Sequence, residues 1–378
     1  MRLLHVADAH QGLTTHSRPD PATGLPSRVL DVGRCWHRAA EIAVERAVDV
    51  VIVAGDSFHA ANPDAASLNQ FAIGLRVLEV AGIPTLLLAG NHDRAPHPNQ
   101  SSVLQVFAVG DLVRVVERPQ VVELEGIRIA CLPSVSMHQL MANRPGLARS
   151  QGVQALVDGL CSVLGDLRTQ TPHVLTLHWT IEGSVLGTGR DVQIMGPGEP
   201  ILPLAEVDGP WRYVAAGHIH KAQALGLGDG LIRYAGSIDR MSFGEEHERK
   251  VVVEVELPGD GHTPVVLEHE LPARPFVTLT ETLSPDHDVY GAIVRLRLPH
   301  ELADHVDATR RAAYDAGADV VIGGAEVEQV TRARDERVTE TLGLEEALEA
   351  WCDVREVDEA ERPDLRQTVK ELAEEVGT

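Results

Sequence analysis

From Met1 to about Leu271, short apolar runs alternate with stretches of helical period. The runs fall at 3–7, 48–54, 84–89, 173–177 and 213–216. They are nearly continuous in apolar residues, the pattern of strands buried on both faces. Between the first three lie 36–48 and a segment carrying Leu68, Phe71, Leu75 and Leu78 at three- and four-residue spacing, which predicts amphipathic helices. Asn62 and Pro63 are placed to start the second helix and Gly82 to stop it. Buried strands joined by such helices predict an α/β layered domain. Two further strand pairs, 121–124 with 127–132 about Glu125-Gly126 and 251–257 with 264–271 about 258–261, predict a second, partly antiparallel sheet.

Leu271-Pro272-Ala273-Arg274-Pro275 reads as a linker. A smaller unit follows: strands at 276–280 and 292–298, a helix at 301–316 and a strand at 319–322, a βαβ-type arrangement near the minimum size of a domain. From about Thr339 two short amphipathic helices are predicted. Leu344, Leu348 and Trp351 stripe one; Leu365, Val369, Leu372 and Val376 stripe the other, after Pro363 in its first turn. Residues 14–28, rich in Pro, Thr and Ser, form a long loop after the first strand.

A chain of 378 residues has room for roughly two domains. No apolar stretch approaches the ~20 residues of a membrane span, and the N-terminus runs into a strand pattern without a signal-peptide core. A cytoplasmic protein with no membrane partner is therefore expected. Cys35, Cys131, Cys161 and Cys352 lack C-x-x-C spacing and read as small buried hydrophobes. The formal net charge of -23 argues against a broad basic face that grips nucleic acid. Nucleic acid as a substrate stays open, because metal ions or a partner subunit can supply positive charge.

The main strands end in potential metal ligands: Asp8-Ala9-His10, Gly55-Asp56-Ser57-Phe58-His59, Gly90-Asn91-His92-Asp93, His178 and Gly217-His218-Ile219-His220. Each cluster alone is more often a capped turn or solvated loop than a ligand set. Five at the carboxyl ends of strands, where α/β sheets form their sites, point to one shared centre. Glycine precedes three of them, as close backbone approach to a metal demands. Imidazoles, carboxylates and an amide oxygen, with no thiolate, suit two divalent ions such as manganese, iron or zinc. Such a pair can clamp the attacking and leaving oxygens of a displacement at phosphorus.

These motifs resemble those of the calcineurin-like metallophosphoesterases. The stretch Tyr234-Ala235-Gly236-Ser237 through Phe243-Gly244-Glu245-Glu246 further resembles the SbcD/Mre11 nuclease branch, and the resemblance runs over essentially the whole chain. It implies a two-sheet αββα sandwich at 1–271, a small α+β cap at 276–335 that orients DNA, and C-terminal helices at 339–378 that bind an SbcC/Rad50-type coiled-coil ATPase. It implies Asp8, His10 and His220 on a first metal, Asp56 bridging, and Asn91, His178 and His218 on a second, with manganese the favoured ion. His92 would stabilise the transition state or protonate the leaving 3′ oxygen, and His59 would assist at the phosphate. The implied function is 3′ to 5′ duplex exonuclease and single-strand or hairpin endonuclease activity in DNA double-strand break repair and recombination. The implied assembly is a homodimer, about the helix holding Leu68 to Leu78, within a heterotetramer. Two departures stand out: Ala9 replaces a bulky aromatic, and Gln11-Gly12 replaces Leu-Gly.

His5, His16, His37, His97, His138, His247 and His262 lack partner ligands at a strand end and read as ordinary core or surface residues. Asp93 is expected to cap its turn or orient His92, Arg240 to contact phosphate or pair with Glu245 or Glu246, and 356–361 to be a solvated linker. Two rival functions remain. A small-molecule phosphodiesterase or phosphomonoesterase would share the ligands but has no need of the segments after Leu271. A DNA-end-tethering scaffold with structural metals has no need of His92.

Overall fold

Leu3 and Leu4 are both fully buried, on opposite faces of one strand, and that double burial organises the molecule. The computed structural model describes residues 1–95, 100–108, 110–135, 149–187, 200–226, 231–259, 262–326, 348–349, 351–353, 355, 357–359 and 362–376. Its strands are β1 (Arg2–Val6), β2 (Val50–Val53), β3 (Thr85–Leu88), β4 (Val113–Val116), β5 (Gln120–Leu124), β6 (Ile127–Leu132), β7 (Val174–His178), β8 (Thr180–Ile181), β9 (Ile201–Leu202), β10 (Tyr213–Gly217), β11 (Gln223–Leu225), β12 (Ile232–Tyr234), β13 (Val251–Glu256), β14 (Val265–Glu270), β15 (Phe276–Leu279), β16 (Ile293–Leu298) and β17 (Val320–Ala325). The principal helices are α1 (Ser27–Glu45), α2 (Ala65–Val80), α3 (Arg149–Arg168), α4 (Val306–Asp315) and α5 (Arg362–Val376).

One sheet runs β14-β13-β1-β2-β3-β4 and a second runs β11-β12-β10-β7-β6-β5. Leu3, Val50, Ile52, Leu86 and Leu88 meet Ile129, Cys131, Val174 and Ala215 in the core between the sheets. The alternate residues Leu4, Val6, Val51, Val53 and Leu87 pack outward on α1 and α2. Leu175, Leu177 and Val214 pack outward on α3 through Leu160 and Leu164. The result is the expected αββα sandwich, its central strands β1, β2, β3, β7 and β10 buried on two faces because helices cover both outer surfaces. The expected hairpin about Glu125-Gly126 forms within the second sheet. The 251–271 pair does not join it: β13 lies antiparallel to β1 in the first sheet, with Leu3 opposite Val255. Alternation reveals that a hairpin has a buried face, not which sheet edge receives it.

Helix α1 starts at Ser27, well before the predicted 36, and Trp36 stacks on Phe71 of α2 at 5.0 Å while donating to its carbonyl at 2.8 Å. The α2 cap is Asp64, whose carboxylate accepts from the Ser67 N–H at 2.7 Å, two residues beyond the expected Asn62.

Beyond the sandwich, β15-β16-β17 form a parallel sheet. The predicted 301–316 helix is a 3₁₀ turn (His300–His305) followed by α4, whose Ala313 packs with Leu296, Leu298 and Val321. The segment 271–275 is pinned: the Arg240 guanidinium donates to the Ala273 and Arg274 carbonyls at 3.2 and 3.1 Å, and Arg274 pairs with buried Asp31. The chain divides into two compact units, Met1–Ala325 and Glu326–Thr378. In the second unit Arg362 of α5 bonds Asp353 at 2.8 Å and Arg366 pairs with Glu349. Leu344 and the expected boundaries at 335 and 339 lie outside the described residues, as do His97 and His138. Among the described residues no helix is long and apolar enough to cross a membrane.

Candidate metal centre

The loops after β1 and β2 continue to pair beyond the strands. Asp8 N–H donates to the Gly55 carbonyl at 3.1 Å, His10 N–H to the Asp56 carbonyl at 2.9 Å, and Gln11 N–H to the Ser57 carbonyl at 3.0 Å. This ladder sets Asp8, His10 and Asp56 side by side. It requires unusual backbone: Asp8, His10, Asp56 and His218 all have positive φ, at 50, 46, 49 and 98°. Half of the eight such non-glycine residues described are therefore sequence-predicted ligands, and strain concentrated at one place marks a functional site. Gly217 is required by close approach, since a Cβ there would sit 2.0 Å from the Ala54 carbonyl oxygen. Gly55 has φ of +97°, and its Cβ would strike the His178 ring at 2.1 Å.

The five predicted clusters meet, although they come from different sheets. Strands β1, β2 and β3 of the first sheet bring Asp8, His10, Asp56 and Asn91; β7 and β10 of the second bring His178, His218 and His220. Ligand atoms of Asp8, His10 and His220 lie within 4.8 Å of one another, as do those of Asp8, Asp56 and His178. His10 Nε2 and His220 Nε2 stand 3.1 Å apart, close enough that a proton or a cation must lie between the two lone pairs. Asp56 Oδ2 is 3.6 Å from His10 Nε2 and 3.3 Å from His178 Nε2, so it spans both groups. Asn91 Oδ1 is 3.0 Å from His178 Nε2 and 3.0 Å from His218 Nδ1. Buried carboxylates among imidazoles and one amide oxygen, without thiolate, fit a pair of borderline divalent ions.

Electrostatics separates the two buried aspartates. Burial raises the Asp8 carboxyl, and the imidazoles of His178 and His220 only partly offset it. Burial also opposes ionisation of Asp56, but His178 and His10 overcome it and hold that carboxyl well below its ordinary range. Burial disfavours the charged form of His178, yet Asp56 and Asp8 lift it to about 9. Metal binding at these groups would compete with protons.

The surrounding groups fix the rings. His178 Nδ1 lies 2.8 Å from the Ala54 carbonyl, which directs Nε2 to the centre. His92 Nδ1 lies 2.8 Å from the His59 carbonyl, and the His92 N–H donates to Asp56 Oδ1 at 2.8 Å. The His59 ring stacks on His92 at 5.6 Å, and nitrogens of His10, His59 and His92 come within 4.8 Å of one another. Asp93 accepts from the N–H groups of Ser57, Phe58 and Gly90 and ties the second and third ligand loops together. Its burial and the nearby Asp56 push its carboxyl up to about 7.

One expectation needs correction. Arg240 does not pair with Glu245 or Glu246; its guanidinium donates to the carbonyls of Ala273, Arg274 and Glu248. Glu245 instead turns to His220, and Glu246 to Thr278 of the cap strand β15. Sequence reasoning missed Lys250, which is buried beside Glu245 at 2.7 Å; being one of three lysines in the chain was its only signal. The departures Ala9 and Gln11 are both buried, and Gln11 Nε2 donates to the Val29 carbonyl at 2.8 Å, tying the ligand loop to α1.

Residues 1–222 match the family model of the calcineurin-like phosphoesterases, an interval that contains all seven ligand candidates. The chain is similar to the SbcD component of the SbcCD nuclease of Escherichia coli K12, 29% identical over 272 residues, covering 67% of this chain and 64% of that protein. The match thus spans slightly less than two thirds of the length of that relative. The chain is also similar to the SbcD component of Bacillus subtilis, 25% identical across 70% of this chain and 68% of that one. The DNA double-strand break repair protein Mre11 of Saccharolobus solfataricus is 25% identical over 64% of this chain and 55% of its own length.

Proposed function

The chain belongs to the calcineurin-like phosphoesterase family, and from that premise we propose that it hydrolyses DNA phosphodiester bonds as the nuclease component of an SbcCD/Mre11-type complex. The observation that carries the reading is the convergence of five strand ends, from two sheets, on one buried set of carboxylates and imidazoles. Similarity to SbcD and Mre11 proteins favours DNA over a small phosphoester, and the three-stranded sheet and helix at 276–325 offer a surface a small substrate does not need.

Asp8, His10 and His220 would hold one ion and Asn91, His178 and His218 the other, with Asp56 between them. Manganese is the ion we favour. A bound pair supplies Lewis acidity and an activated water for in-line attack at phosphorus. With its Nδ1 anchored on the His59 carbonyl, His92 would donate a proton to the leaving 3′ oxygen. His59 contributes through its carbonyl as well as its ring, and we assign it to fixing His92 and meeting the phosphate. The strongly acidic chain would rely on an SbcC/Rad50-type ATPase for DNA affinity, and the helices at 339–378 would dock on it. A homodimer would form about α2, which exposes Ile73 and Val80 beside a groove of about 850 Å³ lined by Val77, Phe107 and Leu112.

With manganese, the purified chain should degrade duplex DNA from 3′ ends. His92→Ala should retain metal and lose roughly 10²–10⁴ of the rate. Intact DNA with the wild type, alone and with its ATPase, would overturn the proposal.

A further inference from the structure

The turn Phe243–Glu245 and Glu246 after it lie beyond the segment matched by the family model, yet they touch the metal centre on one side and the cap on the other. Glu245 is 1% exposed. Its Oε1 faces His220 Nδ1 at 3.4 Å. Its Oε2 pairs with the Lys250 ammonium at 2.7 Å and accepts from the Met241 N–H at 3.0 Å. Lys250, 2% exposed, also donates to Ser237 Oγ at 2.9 Å, Glu248 Oε2 at 3.0 Å and the His220 carbonyl at 3.2 Å. A buried chain Lys250–Glu245–His220 thus reaches the centre from behind.

We propose that Glu245, anchored by Lys250, is a positioning residue that fixes the ring and tautomer of His220 so that Nε2 is the nitrogen offered to a divalent metal. The proposal rests on the metal-centre reading above. His178 and His92 have their Nδ1 atoms fixed by backbone carbonyls at 2.8 Å, whereas His220 faces a carboxylate, a partner that makes an imidazole a stronger donor to a metal. Burying a carboxylate is costly unless a cation accompanies it, and a buried ion pair contributes little net stability over apolar packing. Its position behind a ligand is what the pair gains the molecule. The turn is also clamped from the cap: Phe243 meets the Phe276 ring edge-on at 4.8 Å, the Arg295 guanidinium lies 4.4 Å over Phe243, and Glu246 accepts from the Thr278 N–H and hydroxyl at 2.6 Å each. Glu245 therefore has little freedom to swing away.

The test uses the full chain, metal-free and ¹⁵N-labelled at histidine, with His220→Ala identifying the His220 signals. At about pH 8.5, above the ordinary imidazole range, ¹H–¹⁵N correlation spectra should show His220 protonated at Nδ1. Glu245→Ala should shift it toward the Nε2-protonated form, and Glu245→Gln, which keeps an acceptor, should largely restore Nδ1–H. Calorimetric titration with Mn²⁺ should show one site weakened about 10–100-fold by Glu245→Ala, with no further loss when this change is added to His220→Ala. Should Glu245→Ala not fold, Lys250→Met carries the test, since loss of the anchor should move the same tautomer and the same site. An unchanged His220 tautomer and unchanged Mn²⁺ affinity in a folded variant overturn the proposal. If the tautomer shifts as expected but the wild type binds no Mn²⁺, the positioning of His220 stands and the metal-centre reading falls.

Discussion

His5 shows what a single side chain does when the strand around it is buried on both faces. It is fully buried on β1, with Nδ1 3.0 Å from the Tyr213 hydroxyl of the opposite sheet. Burial, opposed by the Ala216 backbone, holds its imidazole down to about 3. The unfolded chain titrates near 6.5, so between about 3 and 6.5 it binds one more proton than the folded chain. The stability due to neutral His5 is therefore complete above about pH 6.5 and lost as pH falls, by up to roughly 1.4 kcal/mol per unit. His5→Gln should show a shallower fall in urea midpoint than the wild type between about pH 7 and 5. The sequence marked His5 as unremarkable in chemistry because it has no ligand neighbours in the chain; its hydroxyl partner is 208 residues away.

Elements were legible where period alone decides them. The buried strands, the α2 stripe of Phe71, Leu75 and Leu78, and the Glu125-Gly126 hairpin all follow from spacing. What period does not encode is the partner of an element. It assigned β13–β14 to the wrong sheet, and it gave no sign that 271–275 is held by the Arg240 guanidinium and by the Arg274–Asp31 pair. Asp31 of α1 meets Arg28, Arg34 and Arg274; Arg28 reaches Asp239 at 2.8 Å; Arg18 of the long loop reaches Asp319 at the start of β17. Loop 14–28, α1 and the cap thus form one charged seam. Arg274→Ala should destabilise the chain by roughly 1–3 kcal/mol, since Asp31 and Asp319 each lose one cation while Arg28, Arg34 and Arg18 remain beside them. Amide exchange should quicken across 276–298 before it quickens in β1 to β3, and protection that stays uniform would show that the seam does not hold the cap.

For the whole molecule, the candidate ligands come from two sheets, from β1 to β3 of one and from β7 and β10 of the other. Metals bound at such a seam would stabilise the folded state by mass action. Mn²⁺ at about 100 times its dissociation constant should add about 2.7 kcal/mol, seen as a rise in melting temperature that a chelator reverses. Asp56→Ala should abolish that rise, and a rise of equal size in the variant would exclude these ligands.

The sequence by itself determined the α/β class, the apolar strands and the residue types collected at their carboxyl ends, because burial and turn chemistry are written locally in period and in glycine. It also carried the family resemblance, whose calcineurin-like part the match over 1–222 bears out. Only the tertiary structure decided that β7 and β10 approach from a second sheet, that Arg240 serves the backbone, and that Lys250 and Glu245 stand behind His220. These are contacts between segments distant in the chain, and their physics is packing and charge pairing across a gap that no local spacing records.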